Sequence, residues 1–159
     1  MELTIRRATL ADYEPVCQVL AEVDALHQQA LPGIFQTPPG PARDPEYIAS
    51  VLADGDSALF VAEMAGQLVG VAQVLLRDAS PIPVLVPRRF AIVDSLAVRA
   101  AFRRRGVGQK LMAAVEEWAA DRGVGDIELN VFEFNRAAIA FYERLGYATR
   151  SRRMAHTLS

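Results

Sequence analysis

Arg103-Arg104-Arg105-Gly106-Val107-Gly108 constrains this chain more than any other stretch. It separates a run with strand character, Phe90 to Val98, from a run with helical periodicity that begins near Gly108. A strand that turns into a helix through glycines belongs in a layered arrangement of sheet and helices. Two glycines let the backbone approach a ligand closely. Successive N–H groups and the helix N-terminus add partial positive charge. Such a turn suits an anion, first of all a pyrophosphate.

The rest of the chain supplies the layers. Leu3-Thr4-Ile5 starts a short strand. Thr9-Leu10-Ala11-Asp12 gives a cap signal, followed by Val16, Val19, Leu20 and Val23 at helical spacing. Residues 31–45 hold five prolines and two glycines, with Ile34 and Phe35 among them. This is a long loop, and long loops on small domains often carry function. A second helix is expected over Pro45 to Ala53. Ala58–Ala62 and Leu68–Leu75 read as strands joined by a hairpin turn at Met64-Ala65-Gly66-Gln67. Residues 79–89 contain three prolines and read as loop.

Beyond the glycine turn, Leu111, Val115, Trp118 and Ala119 fall on one face of a helix predicted over Gly108 to Arg122. Gly123 and Gly125 end it. Asp126–Val131 reads as a strand. Asn135–Leu145 reads as a helix with Asn135 as N-cap and Gly146 as its stop. A last strand is expected from Tyr147.

The totals bound the class. At 159 residues, with 52% hydrophobic and 23% charged residues, one globular domain spanning 1–159 is expected. No apolar run approaches the roughly 20 residues that cross a membrane. The first residues lack the layout of a signal peptide. The single cysteine, Cys17, rules out an internal disulfide and fits a reducing, cytoplasmic setting. A net charge of −2 argues against a nucleic-acid partner. Arg150, Arg152 and Arg153 read as solvated positions. Gly106 to Leu111 lacks the third glycine of a dinucleotide fingerprint, and no Gly-Lys-Ser/Thr exists. One cysteine and two distant histidines spell no metal site.

Two segments together carry a resemblance. One is Asp94-Ser95-Leu96-Ala97-Val98 followed by Arg103-x-x-Gly106-x-Gly108. The other is Asn135-x-x-Ala138-x-x-Phe141-Tyr142-x-x-x-Gly146-Tyr147. In this order, each in its strand–helix context, they resemble the GNAT superfamily of acyl-CoA-dependent N-acetyltransferases. The first is similar to that family's pyrophosphate loop and the second to its Asn…Phe-Tyr-x-x-x-Gly helix. The opening Ile5-Arg6-Arg7-Ala8-Thr9 also looks like a common start in the family. The implied fold is an α/β one: a twisted, mostly antiparallel mixed sheet of about six to seven strands, flanked by about four helices.

The resemblance also implies a site. Acetyl-CoA would be the acyl donor and a primary amine the acceptor, reacting directly in a ternary complex with no metal and no membrane. The backbone from Arg103 through Arg104, Arg105, Gly106, Val107 and Gly108 to Gln109 would cradle the pyrophosphate. Leu96, Ala97 and Val98 would pair with the pantetheine arm, and one of their N–H groups would face the oxyanion. A bulge freeing that N–H is expected in the strand.

Tyr142 falls at the general-acid position, and Asn135 would touch the cofactor as well as cap its helix. Asp94 is the candidate base, placed by strict alternation on one face with Leu96 and Val98. Its rivals are Glu63 and Glu128. Glu22, Asp24, His27 and Phe35, with the 31–45 loop, would wall the acceptor pocket. The resemblance is compatible with a homodimer. A non-catalytic acyl-CoA-binding sensor on the same fold is the alternative function.

Overall fold

The computed structural model describes residues 2–159. Its frame is the hairpin of β2 (Ser57–Met64) and β3 (Gln67–Asp78). The turn places Ala65 and Gly66 at φ of 55° and 77°. A two-residue hairpin loop needs such a left-handed pair. β1 (Leu3–Arg7) lies antiparallel outside β2, and β4 (Arg89–Val98) antiparallel outside β3. β5 (Ile127–Leu129) then joins parallel to β4, giving the order β1-β2-β3-β4-β5.

Helices cover both faces. α1 (Tyr13–Ala30) and α2 (Pro45–Ala53) bury Val16, Val19, Leu20, Ile48 and Val51 against Leu59, Val61 and Val71. On the other face α3 (Val107–Asp121) sets Leu111, Met112, Val115 and Trp118 against Phe60, Ala72, Val74 and Val93. α4 (Arg136–Arg144) packs Phe141 and Tyr142 against this second core. A sheet covered on both sides needs apolar residues at nearly every central position. That is why β2 and β3 read as continuous apolar runs. Cys17, which reads as a small core residue, is half-buried on α1.

Five strands form, fewer than the six to seven expected. The difference is the segment from Tyr147, which builds no strand. β5 is only three residues long and is a short template for a ladder. The arginines of the segment instead meet carboxylates, Arg150 at 2.9 Å from Glu128 and Arg152 at 3.8 Å from Glu133.

Asp12 ties the first strand to the first helix. Both its oxygens accept from the Arg6 guanidinium, at 2.8 and 2.9 Å, and it also accepts from the Thr9 N–H at 2.8 Å. These bonds, the Arg6 ones foremost, hold its carboxyl below the usual carboxylate value. A carboxyl depressed in the folded state stabilises above the unfolded pKa of ~3.9 and loses that contribution as pH falls through the folded value. Asp12→Asn should therefore cost about 2 kcal/mol near neutral pH. Its urea unfolding curve should approach the wild-type curve in acid, as pH falls well below the unfolded value of ~3.9. Equal gaps at neutral and acid pH would contradict this linkage.

Candidate active site

The site begins where β4 parts from β5. On the β3 side, Gln73 pairs with Ser95 but Val74 pairs with Val93, so Asp94 is the extra residue of a β-bulge. On the β5 side, pairing runs only from Ala91 to Val93. The two parallel strands share three positions, and β4 continues from Asp94 to Val98 with no strand on that edge, while its other edge stays paired with β3. The expected bulge is present. It also overturns the alternation argument for Asp94: Val93 and Leu96, three residues apart, both pack in the core under α3. Alternation does not carry across the extra residue. Asp94 is exposed and lines a cleft with Ser95 and Leu96.

The glycine turn follows directly. A short 3-10 turn, Ala100–Phe102, leads into Arg103. Arg104 and Gly106 take left-handed φ of 62° and 79°. Such alternation points successive N–H groups into one concavity. The first backbone bond of α3 runs from the Lys110 N–H to the Gly106 carbonyl at 3.1 Å. The N–H groups of Val107, Gly108 and Gln109 precede it and have no intrahelical acceptor.

The helix thus starts one residue earlier than the periodicity predicted. At Gly108 a Cβ would lie 3.1 Å from the Phe141 ring, so α3 and α4 meet closely there. The arginine side chains are spread out. Arg103 donates to the Val98 carbonyl at 3.4 Å, and the Arg105 guanidinium lies 5.4 Å from the Phe102 ring centroid.

α4 supplies the opposite wall. Asn135 caps it, its Oδ1 accepting from the Ala138 N–H at 3.2 Å, as its position predicted. Tyr142 lies about two turns beyond the cap and lines the same cleft as Asp94, Leu96 and Asn135. Its ring is fixed edge-on between Phe141 and Tyr147, at centroid distances of 5.2 and 5.8 Å. Burial pushes its hydroxyl up to about 12.

The cleft has a volume of about 780 Å³. Its far wall is α1, the following loop and the start of α2, so His27, Phe35 and Asp24 all face it. Phe35 belongs to a fixed wall. Arg43 forks onto Asp24 at 2.8 and 3.1 Å, and the Tyr13 hydroxyl donates to the Arg43 carbonyl at 2.6 Å. Gln28 donates to the Gln36 carbonyl at 3.1 Å. The Nδ1 of His27 bonds the Val23 carbonyl at 2.8 Å.

The other acidic residues are occupied elsewhere. Glu63 accepts from Arg6 at 2.9 Å, Glu128 from Arg88 at 2.9 Å, and Glu22 from the Ala100 N–H at 2.9 Å. Residues the sequence did not single out also line the cleft, among them Arg43, Asp44, Tyr47, Asn130 and Phe132. Of these only Phe132 had a local signal, its alternation with Phe134 just before the cap of α4.

The profile of the Acetyltransferase (GNAT) family matches residues 20–147, and the chain belongs to that family. Among its relatives is the uncharacterized N-acetyltransferase MJ1207 of Methanocaldococcus jannaschii. The two are 33% identical over 64% of this chain and 43% of that protein. The match thus spans less than half the length of that relative. Among solved structures, a mutant BH1408 protein from Bacillus halodurans superposes with a TM-score of 0.93 at 25% identity, over 98% of this chain and 99% of that one. The fold is also that of AAC(6')-Iy, solved in complex with the bisubstrate analog CoA-S-monomethyl-acetylneamine. There the TM-score is 0.74 at 20% identity, over 100% of this chain and 99% of that one.

Proposed function

We propose that this chain transfers an acetyl group from acetyl-CoA to a primary amine by direct attack in a ternary complex. The observation that carries this reading is the split between β4 and β5. It opens at the bulge at Asp94, and the glycine turn stands at its far end. The gap exposes a main-chain edge along Leu96, Ala97 and Val98 on which the Val98 carbonyl takes only a long side-chain bond from Arg103, at 3.4 Å, and this edge suits the amide-bearing pantetheine arm. The cradle from Arg103 to Gln109 then receives the diphosphate on backbone N–H groups, and its fit does not depend on the arginine side chains.

The chemistry follows from the lining. The amine nitrogen attacks the thioester carbonyl carbon, and the oxyanion is held by an N–H of the freed β4 edge. As the carbon–sulfur bond breaks, the thiolate takes a hydrogen bond or proton from the Tyr142 hydroxyl. An alkylammonium has a pKa near ~10.4 and must lose a proton first. Asp94, exposed at the bulge and facing the same cleft, receives it directly or through water. The nitrogen's second proton passes through water to bulk solvent as the tetrahedral intermediate collapses to the amide, and Asp94 and Tyr142 return to their starting states by exchange with the same water. Cys17 plays no covalent part, since it does not line the cleft.

Titration calorimetry with CoA, paired with free-thiol release from acetyl-CoA in the presence of amines, tests the reading. Saturable binding and amine-dependent release are expected. Gly106→Val forces a β-branched residue into the left-handed region, and it should weaken CoA binding by about tenfold or more. No heat of association, or binding indifferent to Gly106, would remove the basis for the cradle. Binding without amine-dependent release would leave a sensor, not an enzyme.

A further inference from the structure

The acceptor end of the cleft is walled by rings. His27 on α1, Phe35 on the following loop, and Phe132 and Phe134 after β5 meet mostly edge to face. The ring centroids lie 5.1 Å apart for His27–Phe35, 5.7 Å for His27–Phe132, 5.3 Å for His27–Phe134 and 5.4 Å for Phe35–Phe132. Three of these residues, His27, Phe35 and Phe132, line the cleft. Phe132 is 40% exposed and Tyr47, on the same lining, 43% exposed, so aromatic surface is available to a ligand.

The charges are sparse by comparison. Asp24 is neutralised by the Arg43 fork, at 2.8 and 3.1 Å. Among the described residues, Asp44 and Asp94 are the lining carboxylates that no Lys or Arg pairs. Asp94 stands at the bulge beside the reacting position, and Asp44 is the one further free carboxylate of the described lining. A polycation of three or more charges would leave at least one against carbon, and each buried unpaired charge is costly.

Resting on the acetyl-transfer reading, we infer that the acceptor is a monoamine with a flat aromatic body, an arylalkylamine. Its ring packs on Phe132 and Phe35 while its nitrogen lies toward Asp94. Ring–ring packing and the attraction of an ammonium for aromatic faces act together in such a site.

The test has two arms. In the first, thiol release from acetyl-CoA is followed with 2-phenylethylamine, propylamine, spermidine and kanamycin. The kcat/KM should be highest for 2-phenylethylamine. Phe132→Ala should lower it about tenfold, mainly through KM, with less than a twofold effect on propylamine. In the second arm, 2-phenylethylamine is titrated into protein saturated with desulfo-CoA, which needs no turnover. Binding is expected, and Phe132→Ala should weaken it by the same factor while Phe132→Tyr retains it.

Spermidine or kanamycin as the best acceptor, or equal losses for phenylethylamine and propylamine, overturns the inference and leaves acetyl transfer standing. Phenylethylamine that binds without any amine releasing thiol upholds the pocket and overturns the acetyl-transfer reading. Absence of binding in the second arm overturns the inference whatever the first arm gives.

Discussion

Tyr142→Phe is expected to lower kcat by about 10²- to 10³-fold while leaving the affinity for CoA within about threefold. The asymmetry follows from where the hydroxyl sits. The phenol ring is held by Phe141 and Tyr147, and phenylalanine preserves both contacts. Only the oxygen is lost, and on the proposed mechanism it acts when the thiolate departs. Burial pushes the hydroxyl up to about 12. It is therefore a donor throughout the range in which an amine acceptor titrates.

A thiol has a pKa near ~8.5, so full transfer from a phenol this weak is uphill in water. The apolar cleft narrows that gap, because the scarcity of water that raises the phenol also destabilises the thiolate. A strong hydrogen bond that becomes a transfer late in bond breaking is the expected compromise. The sign of the pH effect is fixed by the same shift. A raised acid pKa keeps the donor form dominant until pH approaches the folded value. The wild-type kcat should thus show no falling limb below about pH 10. Tyr142→Phe should keep the rising limb set by the amine and base. A variant that turns over like the wild type would place the acid elsewhere.

Local rules carried the reading as far as they reach. The left-handed glycine before a helix, the Asn135 cap and the hairpin at Ala65-Gly66 depend on a few adjacent residues, and each was legible. Three features were not. A bulge in β4 was expected from the family resemblance and not from local rules, and its place at Asp94 is a property of the register between β3 and β4. Neither strand alone announces it, and it broke the alternation used to place Asp94. The strand expected from Tyr147 has fair strand composition, but a strand needs an edge long enough to pair with, and β5 supplies three residues. The aromatic wall joins His27, Phe35, Phe132 and Phe134 from three separate segments. Sequence spacing offers no route to such a meeting. Proline and glycine marked 31–45 as loop, while the Arg43–Asp24 fork and the Tyr13 hydroxyl made it a wall.

Gly70 is the residue that joins the fold to the cradle, and Gly70→Val should cost about 3 kcal/mol of stability. A Cβ at Gly70 would lie 2.9 Å from Leu111 Cδ1, 2.9 Å from Val107 Cγ1 and 3.3 Å from the Ala97 carbonyl oxygen. The leucine methyl can swing away. The β-branched Val107 is stiffer, and the Ala97 oxygen belongs to the paired strand.

Val107 is also the first residue of α3, so whatever displaces it moves the N–H groups of the turn. Gly70→Val should therefore weaken CoA binding by about tenfold in the fraction that stays folded. A double-mutant cycle separates steric fit from general damage. Leu111→Ala alone removes a fully buried side chain and should cost about 3 kcal/mol. Combined with Gly70→Ala, the new methyl occupies part of the space vacated. The pair should then be less destabilised than the sum by about 1 kcal/mol. Strict additivity in urea unfolding would show that the helix does not rest on this glycine. Lost stability with undiminished CoA affinity would show that its seat does not govern the cradle.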